Sequence, residues 1–158
     1  FIEPKDSQDL KLLLKAKKSN KIPLFIIGAG SNILVNDKGV RGLVLKLDSP
    51  YFRKFTFNGS RVEVGAGCLL SKFICEAKKR NLSGLEFLLG IPGTVGGALV
   101  MNAGQARGGL NIADLVENVT VMDYNGNIKE LAKSRIKFGY RKSDLAKYII
   151  LKAFRKLV

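Results

Sequence analysis

The chain has no histidine among its 158 residues. That removes the imidazole general base, the Ser/His or Cys/His nucleophile pair and the usual zinc ligand. No carboxylate or cysteine cluster has ligand spacing, so no metal site is expected. Cysteine is limited to Cys68 and Cys75. They stand seven residues apart in what reads as one helix, where they would share a face without reaching disulfide geometry, so reduced, buried thiols are expected. Long apolar runs are missing too. Leu24–Ile27 and residues 43–45 fall far below the roughly 20 residues that cross a bilayer, so a soluble, cytoplasmic protein with no membrane contact is expected. The first residue is Phe1, and Phe1-Ile2-Glu3-Pro4 has neither the basic start nor the apolar core of a signal peptide, so the chain reads as beginning inside a longer protein. Acidic residues are scarce: thirteen against twenty-seven basic ones, a formal charge of +14.

What is present is a hydrophobic content of 46%, enough for a sizeable core, and seventeen glycines against four prolines. The charge favours anionic partners. The basic residues are dispersed in small groups such as Lys15, Lys17 and Lys18, or Lys78, Lys79 and Arg80, without a helix-turn-helix, zinc-finger or aromatic ribonucleoprotein pattern. Solvated faces and small phosphorylated ligands account for that distribution better than a specific nucleic-acid partner.

The pattern predicts a helix capped by Asp6 or Ser7, with Leu10, Leu13 and Leu14 inward and Lys11, Lys15 and Lys18 outward. A strand follows over the apolar run of residues 22–27, and short strands are expected at 33–35 and 43–47. Residues 55–57 and 62–64 form a hairpin around Asn58-Gly59, and residues 69–79 form an amphipathic helix whose basic C-terminus suits the dipole. Residues 119–124 and 128–131 flank a second Asn-Gly turn, and residues 148–154 give a last strand. The order is that of an α+β fold, divided near Asp48-Ser49-Pro50 into units 1–49 and 50–158.

Gly28-Ala29-Gly30-Ser31-Asn32 closes the first long strand. As a dinucleotide fingerprint it fails, because Ile33 stands at the third glycine and a turn at residues 36–39 leaves no room for the helix, although Asp48 lies where a ribose-binding acid belongs. Two readings stay open: a cradle of N–H groups and short polar side chains for a pyrophosphate, or a plain glycine turn. In the second segment, Gly96 and Gly97 interrupt a short helix at about 1 kcal/mol each relative to alanine. Either the bare backbone lets a flat ring or a phosphate approach, with Pro92-Gly93 turning the helix N-terminus toward an anion, or small residues permit close helix packing.

Four blocks in this order carry a resemblance: residues 28–35, Gly90-Ile91-Pro92-Gly93-Thr94-Val95-Gly96-Gly97-Ala98, Met101-Asn102-Ala103-Gly104, and Phe138-Gly139-Tyr140-Arg141-Lys142-Ser143. The chain resembles the FAD-binding portion of the UDP-N-acetylenolpyruvoylglucosamine reductases over nearly its whole length. The resemblance implies a two-subdomain FAD-binding fold of the vanillyl-alcohol-oxidase type. It also implies hydride transfer from NADPH through flavin N5 to the enolpyruvyl C3 of a nucleotide-sugar substrate, giving UDP-N-acetylmuramate for peptidoglycan.

By motif correspondence, Gly28, Gly30, Ser31 and Asn32 hold the FAD pyrophosphate. Pro92, Gly93, Gly96, Gly97, Asn102 and Ala103 line the flavin and phosphates, Tyr140 lies near the ring system, and Arg141 is the catalytic arginine. A permanent planar cation suits an enolate. Outside the motif, an arginine beside Lys142 reads as a surface residue. The family has a small residue and a tyrosine after Asn-Ala-Gly, where this chain has Gln105-Ala106-Arg107-Gly108-Gly109. The substrate domain's protonating serine and late glutamate, and a short N-terminal FAD-binding stretch, are absent, so a fragment is expected, inactive alone. The alternatives are another FAD-dependent oxidoreductase of the same fold and a non-catalytic basic module that binds RNA.

Overall fold

The computed structural model describes residues 1–105 and 109–157; Ala106, Arg107 and Gly108 of the divergent loop lie outside the described residues. Helix α1 (Ser7–Asn20) starts at Asp6, whose carboxylate accepts the N–H groups of Gln8 and Asp9 at 2.8 and 2.9 Å. Leu10 and Leu14 are buried one turn apart. The helix stops at Lys21, which takes the left-handed conformation (φ 52°). Strands β1 (Leu24–Ile27) and β2 (Leu43–Lys46) then pair in parallel from Leu24↔Leu43 to Ile27↔Lys46, and Ile2 bridges Leu45.

The strand expected at residues 33–35 does not form. Ile33, Leu34 and Val35 are exposed and lie outside every sheet, Leu34 fully so. Their composition favours strands, yet strand preference is realised only against a neighbouring ladder, and this stretch has none.

After a short helix α2 (Pro50–Arg53) that buries Phe52, strands β3 (Phe55–Asn58) and β4 (Arg61–Gly65) form the expected hairpin. Its turn is one residue later than the Asn-Gly pair implies. Asn58 pairs with Arg61, leaving Gly59-Ser60 as the loop with positive φ (56°) at Gly59, the pattern of a II′ turn with glycine first. Helix α3 (Leu70–Lys79) buries Leu70, Phe73, Ile74 and Ala77. Cys68 lies before this helix and is buried, whereas Cys75 is exposed on it, which corrects the expectation of two buried thiols on one helical face. An apolar stretch of sequence cannot show where its first turn begins.

Helix α4 (Val95–Val100) leads to β5 (Asn118–Met122) and β6 (Ile128–Ala132), then to the small hairpin of β7 (Phe138–Gly139) and β8 (Lys142–Ser143), and finally to β9 (Ile149–Lys156). The larger sheet is antiparallel with order β3-β4-β9-β5-β6, so the last strand lies at its centre. One hydrophobic cluster runs from Leu10, Leu14 and Leu45 beside the small parallel sheet to Val119, Met122 and Ile149 in the large one. The β5–β6 turn also meets α1, through a Lys18 Nζ to Asn125 Oδ1 hydrogen bond of 3.0 Å and the stem of Lys11 lying on Gly126. These contacts set the two sheets on either side of a crevice.

Candidate functional site

The crevice is a cavity of about 720 Å3 at the C-terminal ends of β1 and β2. Open parallel sheets bind ligands at that end of their strands. Residues 28 and 30–33 after β1 line one side, residues 91–94 and 96–98 another, and Ala103, Gly104 and Arg141 the region between, while Tyr124 and Tyr148 complete the boundary.

The two glycine-bearing segments interlock. The Ser31 hydroxyl donates to the Pro92 carbonyl at 3.1 Å, and a Cβ on Gly28 would come within 2.6 Å of Thr94 Oγ1. Gly28 is therefore required by the approach of Thr94. Among the described residues, the backbone N–H groups of Ala29, Gly30, Ser31 and Asn32 meet no protein acceptor, so four donors are available along this side. Ala29, Ser31 and Asn32 are exposed, so both a solvated turn and a cradle for an anion are compatible with that arrangement.

Helix α4 behaves differently. Its first N–H groups are already used: Val95 donates to Cys68 O at 2.9 Å, Gly96 to Ala66 O at 2.8 Å, and Gly97 to Thr94 Oγ1 at 3.2 Å. The expected anion at this N-terminus thus lacks free donors. The two glycines divide the alternatives between them. A Cβ on Gly96 would meet the Ala66 Cβ at 3.0 Å, which is close packing. Gly97 is exposed to the cavity, and a Cβ there would meet only Thr94 Oγ1, at 3.4 Å.

Arg141 reaches the cavity from a two-residue turn between β7 and β8. Its φ of 53° is unusual for a residue with a side chain, and its Nη1 donates to Gly104 O at 3.0 Å. The guanidinium also lies 5.4 Å from the centroid of the Tyr140 ring. The charged residues lining the cavity are Arg141, Lys46 and Asp48. Asp48 is offset by Lys46 at 3.0 Å and Arg53 at 3.6 Å, so the surroundings favour an anion.

A family model described as an FAD binding domain matches residues 1–132. The chain belongs to that family. This FAD-binding domain is also similar to the UDP-N-acetylenolpyruvoylglucosamine reductase of Clostridioides difficile (strain 630), with 46% identity over 97% of this chain and 50% of the relative. Among solved structures it resembles UDP-N-acetylenolpyruvylglucosamine reductase from Thermus caldophilus, with a TM-score of 0.81 and 37% identity over 99% of this chain and 54% of that one. It shares its fold with 6-hydroxy-D-nicotine oxidase from Arthrobacter nicotinovorans, with a TM-score of 0.74 and 17% identity over 98% of this chain and 35% of that one. The α+β fold of the vanillyl-alcohol-oxidase type is therefore established. The domain spans about half the length of the curated relatives it matches.

The residues present fit a flavin dinucleotide. They provide a largely apolar crevice, free N–H donors at a strand end, an exposed helical glycine and a fixed guanidinium. Gly28, Gly30, Ser31, Asn32, Pro92, Gly93, Gly96, Gly97, Ala103 and Arg141 all line the cavity. Asn102 and Tyr140 do not. The Asn102 amide is consumed inside the fold, with Nδ2 donating to Gly139 O at 3.0 Å and Oδ1 accepting the Ala113 N–H at 3.2 Å; Tyr140 is 78% exposed beside the guanidinium. Sequence reasoning missed Thr94, Lys46, Tyr124 and Tyr148. For Thr94 a signal existed, since threonine directly before a short apolar helix is a typical cap. Among the described residues no group of His, Cys, Asp or Glu is arranged to hold a metal, and no helix is long and apolar enough to cross a membrane.

Proposed function

We propose that this domain binds FAD in the crevice between the parallel strand pair and α4, as part of an NADPH-dependent reductase. That reductase acts on UDP-N-acetylglucosamine enolpyruvate in the cytoplasm to supply a peptidoglycan precursor. The observation that carries the reading is the interlocking of residues 28–32 with residues 92–97 around one cavity, with unspent N–H donors on one side and Arg141 within reach. The division into units 1–49 and 50–158 belongs to the same reading, since the parallel pair lies before residue 49 and the five-stranded sheet after it.

The chemistry the flavin supplies when bound is hydride transfer from NADPH to the enolpyruvyl carbon. The chain's own contribution is positional and electrostatic. The N–H groups of residues 29–32 receive the pyrophosphate, and Gly97 leaves space against α4. Arg141, held by Gly104 O, presents a permanent cation to the substrate carboxyl and the developing enolate oxygen.

The test is direct. Purified protein titrated with FAD should quench flavin fluorescence at one equivalent and release free flavin on denaturation. A full-length version should oxidise NADPH only in the presence of the enolpyruvyl nucleotide sugar. A protein that takes up no FAD refutes the proposal, and FAD uptake with activity only on another alcohol or amine redirects it to a different flavoenzyme of this fold.

A further inference from the structure

Asn102 closes the C-terminal end of α4 in the left-handed conformation, with φ 44°. Its N–H donates to Leu99 O at 3.3 Å and the Ala103 N–H donates to Ala98 O at 2.9 Å, the two bonds that end a helix through a left-handed residue. Glycine is the usual occupant of such a position, because a side chain there is strained. Asparagine offers what glycine cannot, an amide. That amide is buried and fully committed: Nδ2 donates to Gly139 O at 3.0 Å, and Oδ1 accepts the Ala113 N–H at 3.2 Å.

Its two partners stand at the two ends of Arg141. Gly139 pairs with Lys142 and so closes the turn that carries Tyr140 and Arg141. Strands β7 and β8 have two residues each, too short a hairpin to hold its turn unaided. Two anchors come from the end of α4. Asn102 Nδ2 grips Gly139 before the turn, and after it the Ser143 hydroxyl donates to the Leu99 and Val100 carbonyls at 2.9 and 3.1 Å. At the far end, the guanidinium donates to Gly104 O. Gly104 bridges Asn111, and a Cβ on it would collide with Leu110 O, so the position of that carbonyl follows the loop that reaches Ala113. Asn102 Oδ1 holds that loop. One amide therefore joins the turn that carries the arginine backbone to the loop that receives its guanidinium.

Resting on the reading of Arg141 as the residue that meets the substrate, we propose that Asn102 is a positioning residue for Arg141. It touches neither cofactor nor substrate and acts by fixing where the guanidinium stands. Asn102→Gly keeps the left-handed helix end without strain, so it should fold, and it removes the amide. Asn102→Asp, studied in mildly alkaline buffer where its carboxyl is ionised, keeps the acceptor for Ala113 but has no donor for Gly139. Asp6→Ala, which removes the α1 cap instead, is the control for general destabilisation. In nitrogen-15 NMR of the chain without cofactor, the Arg141 Nε–H resonance is assigned by its disappearance in Arg141→Ala. It should stand apart from solvated arginines in the parent and Asp6→Ala, and collapse toward them in both Asn102 variants. In the full-length enzyme, anaerobic flavin reduction by NADPH should stay within about threefold of the parent. Reoxidation by the enolpyruvyl nucleotide sugar should slow roughly 10- to 100-fold, the effect of a cation misplaced by about 1 Å.

An unmoved Arg141 resonance in both Asn102 variants, or reoxidation at the parental rate, overturns the proposal. So does equal slowing of both half-reactions, or the same NMR change in Asp6→Ala, since either makes Asn102 a support of the fold alone. Parental reoxidation in Arg141→Ala overturns the functional reading of Arg141 and the catalytic consequence drawn from it. That failure is separable, because the NMR comparison still shows whether Asn102 holds the side chain.

Discussion

Replacing Gly97 by alanine sets stability against binding at a single atom. The residue sits in the first turn of α4, so alanine recovers about 0.5–1 kcal/mol of helix preference. The added Cβ meets only Thr94 Oγ1, at 3.4 Å, an ordinary contact, so little of that gain is lost. For a chain of this length the midpoint of thermal unfolding should rise by about 1–4 °C. The same methyl group points into the cavity where the flavin dinucleotide is proposed to lie. Crowding a packed surface by one carbon costs about 1–3 kcal/mol, so FAD affinity should fall roughly 5- to 150-fold. Gly96→Ala is the internal control. It receives the same helical gain but drives its Cβ to 3.0 Å from Ala66 Cβ and 3.1 Å from Ala66 O, so it should lower the midpoint. Thermal unfolding of the apoprotein, followed by fluorescence titration with FAD, measures both arms. Parental FAD affinity in Gly97→Ala, or equal stability of the two variants, refutes the assignment of one glycine to ligand approach and the other to packing.

Two further outcomes test the site and its support. Arg141→Gly should be about 0.5–1.5 kcal/mol more stable than Arg141→Ala, because only the side-chain-bearing residue is strained at a φ of 53°. Both should lose any activity of the full-length enzyme, and equal stabilities in chemical denaturation would show that the turn relaxes. Cys75 should react with a thiol reagent in the native protein while Cys68 reacts only on unfolding, since Cys68 is buried and its burial pushes the thiol pKa up. Modification of both in native buffer counts against the placement of Cys68.

Local chemistry made much of this legible. The Asp6 cap, the leucines of α1, the hairpin at Gly59 and the apolar face of α3 follow from spacing and side-chain type. Errors arose where a tertiary neighbour decides. Residues 33–35 have strand composition but no ladder beside them. The turn at Asn58-Gly59 is displaced because register across β3 and β4 is set by which side chains reach the core. At the site, the motifs picked out segments that line the cavity but could not distinguish residues facing it from those facing the fold. Asn102 turns inward to bind Gly139 and Ala113, and Tyr140 turns outward, because side-chain direction depends on the local backbone and not on membership of a motif. Thr94 was hidden by the opposite problem, since its importance lies in a contact with Gly28, sixty-six residues away in sequence.

The central position of β9 in the large sheet bears on how the chain acquires its structure. Strands β3 and β4 form one hairpin and β5 and β6 another, yet neither hairpin pairs with the other; both pair with β9. During synthesis the two hairpins must wait with open edges until residues 149–156 leave the ribosome, and the ladder between β4 and β9 spans nearly a hundred residues of chain. Pairings of such sequence separation are slow to form and expose aggregation-prone edges in the interval. Assembly of the sheet is thus gated by its final strand, and a chain ending before Ile149 would leave two unjoined hairpins.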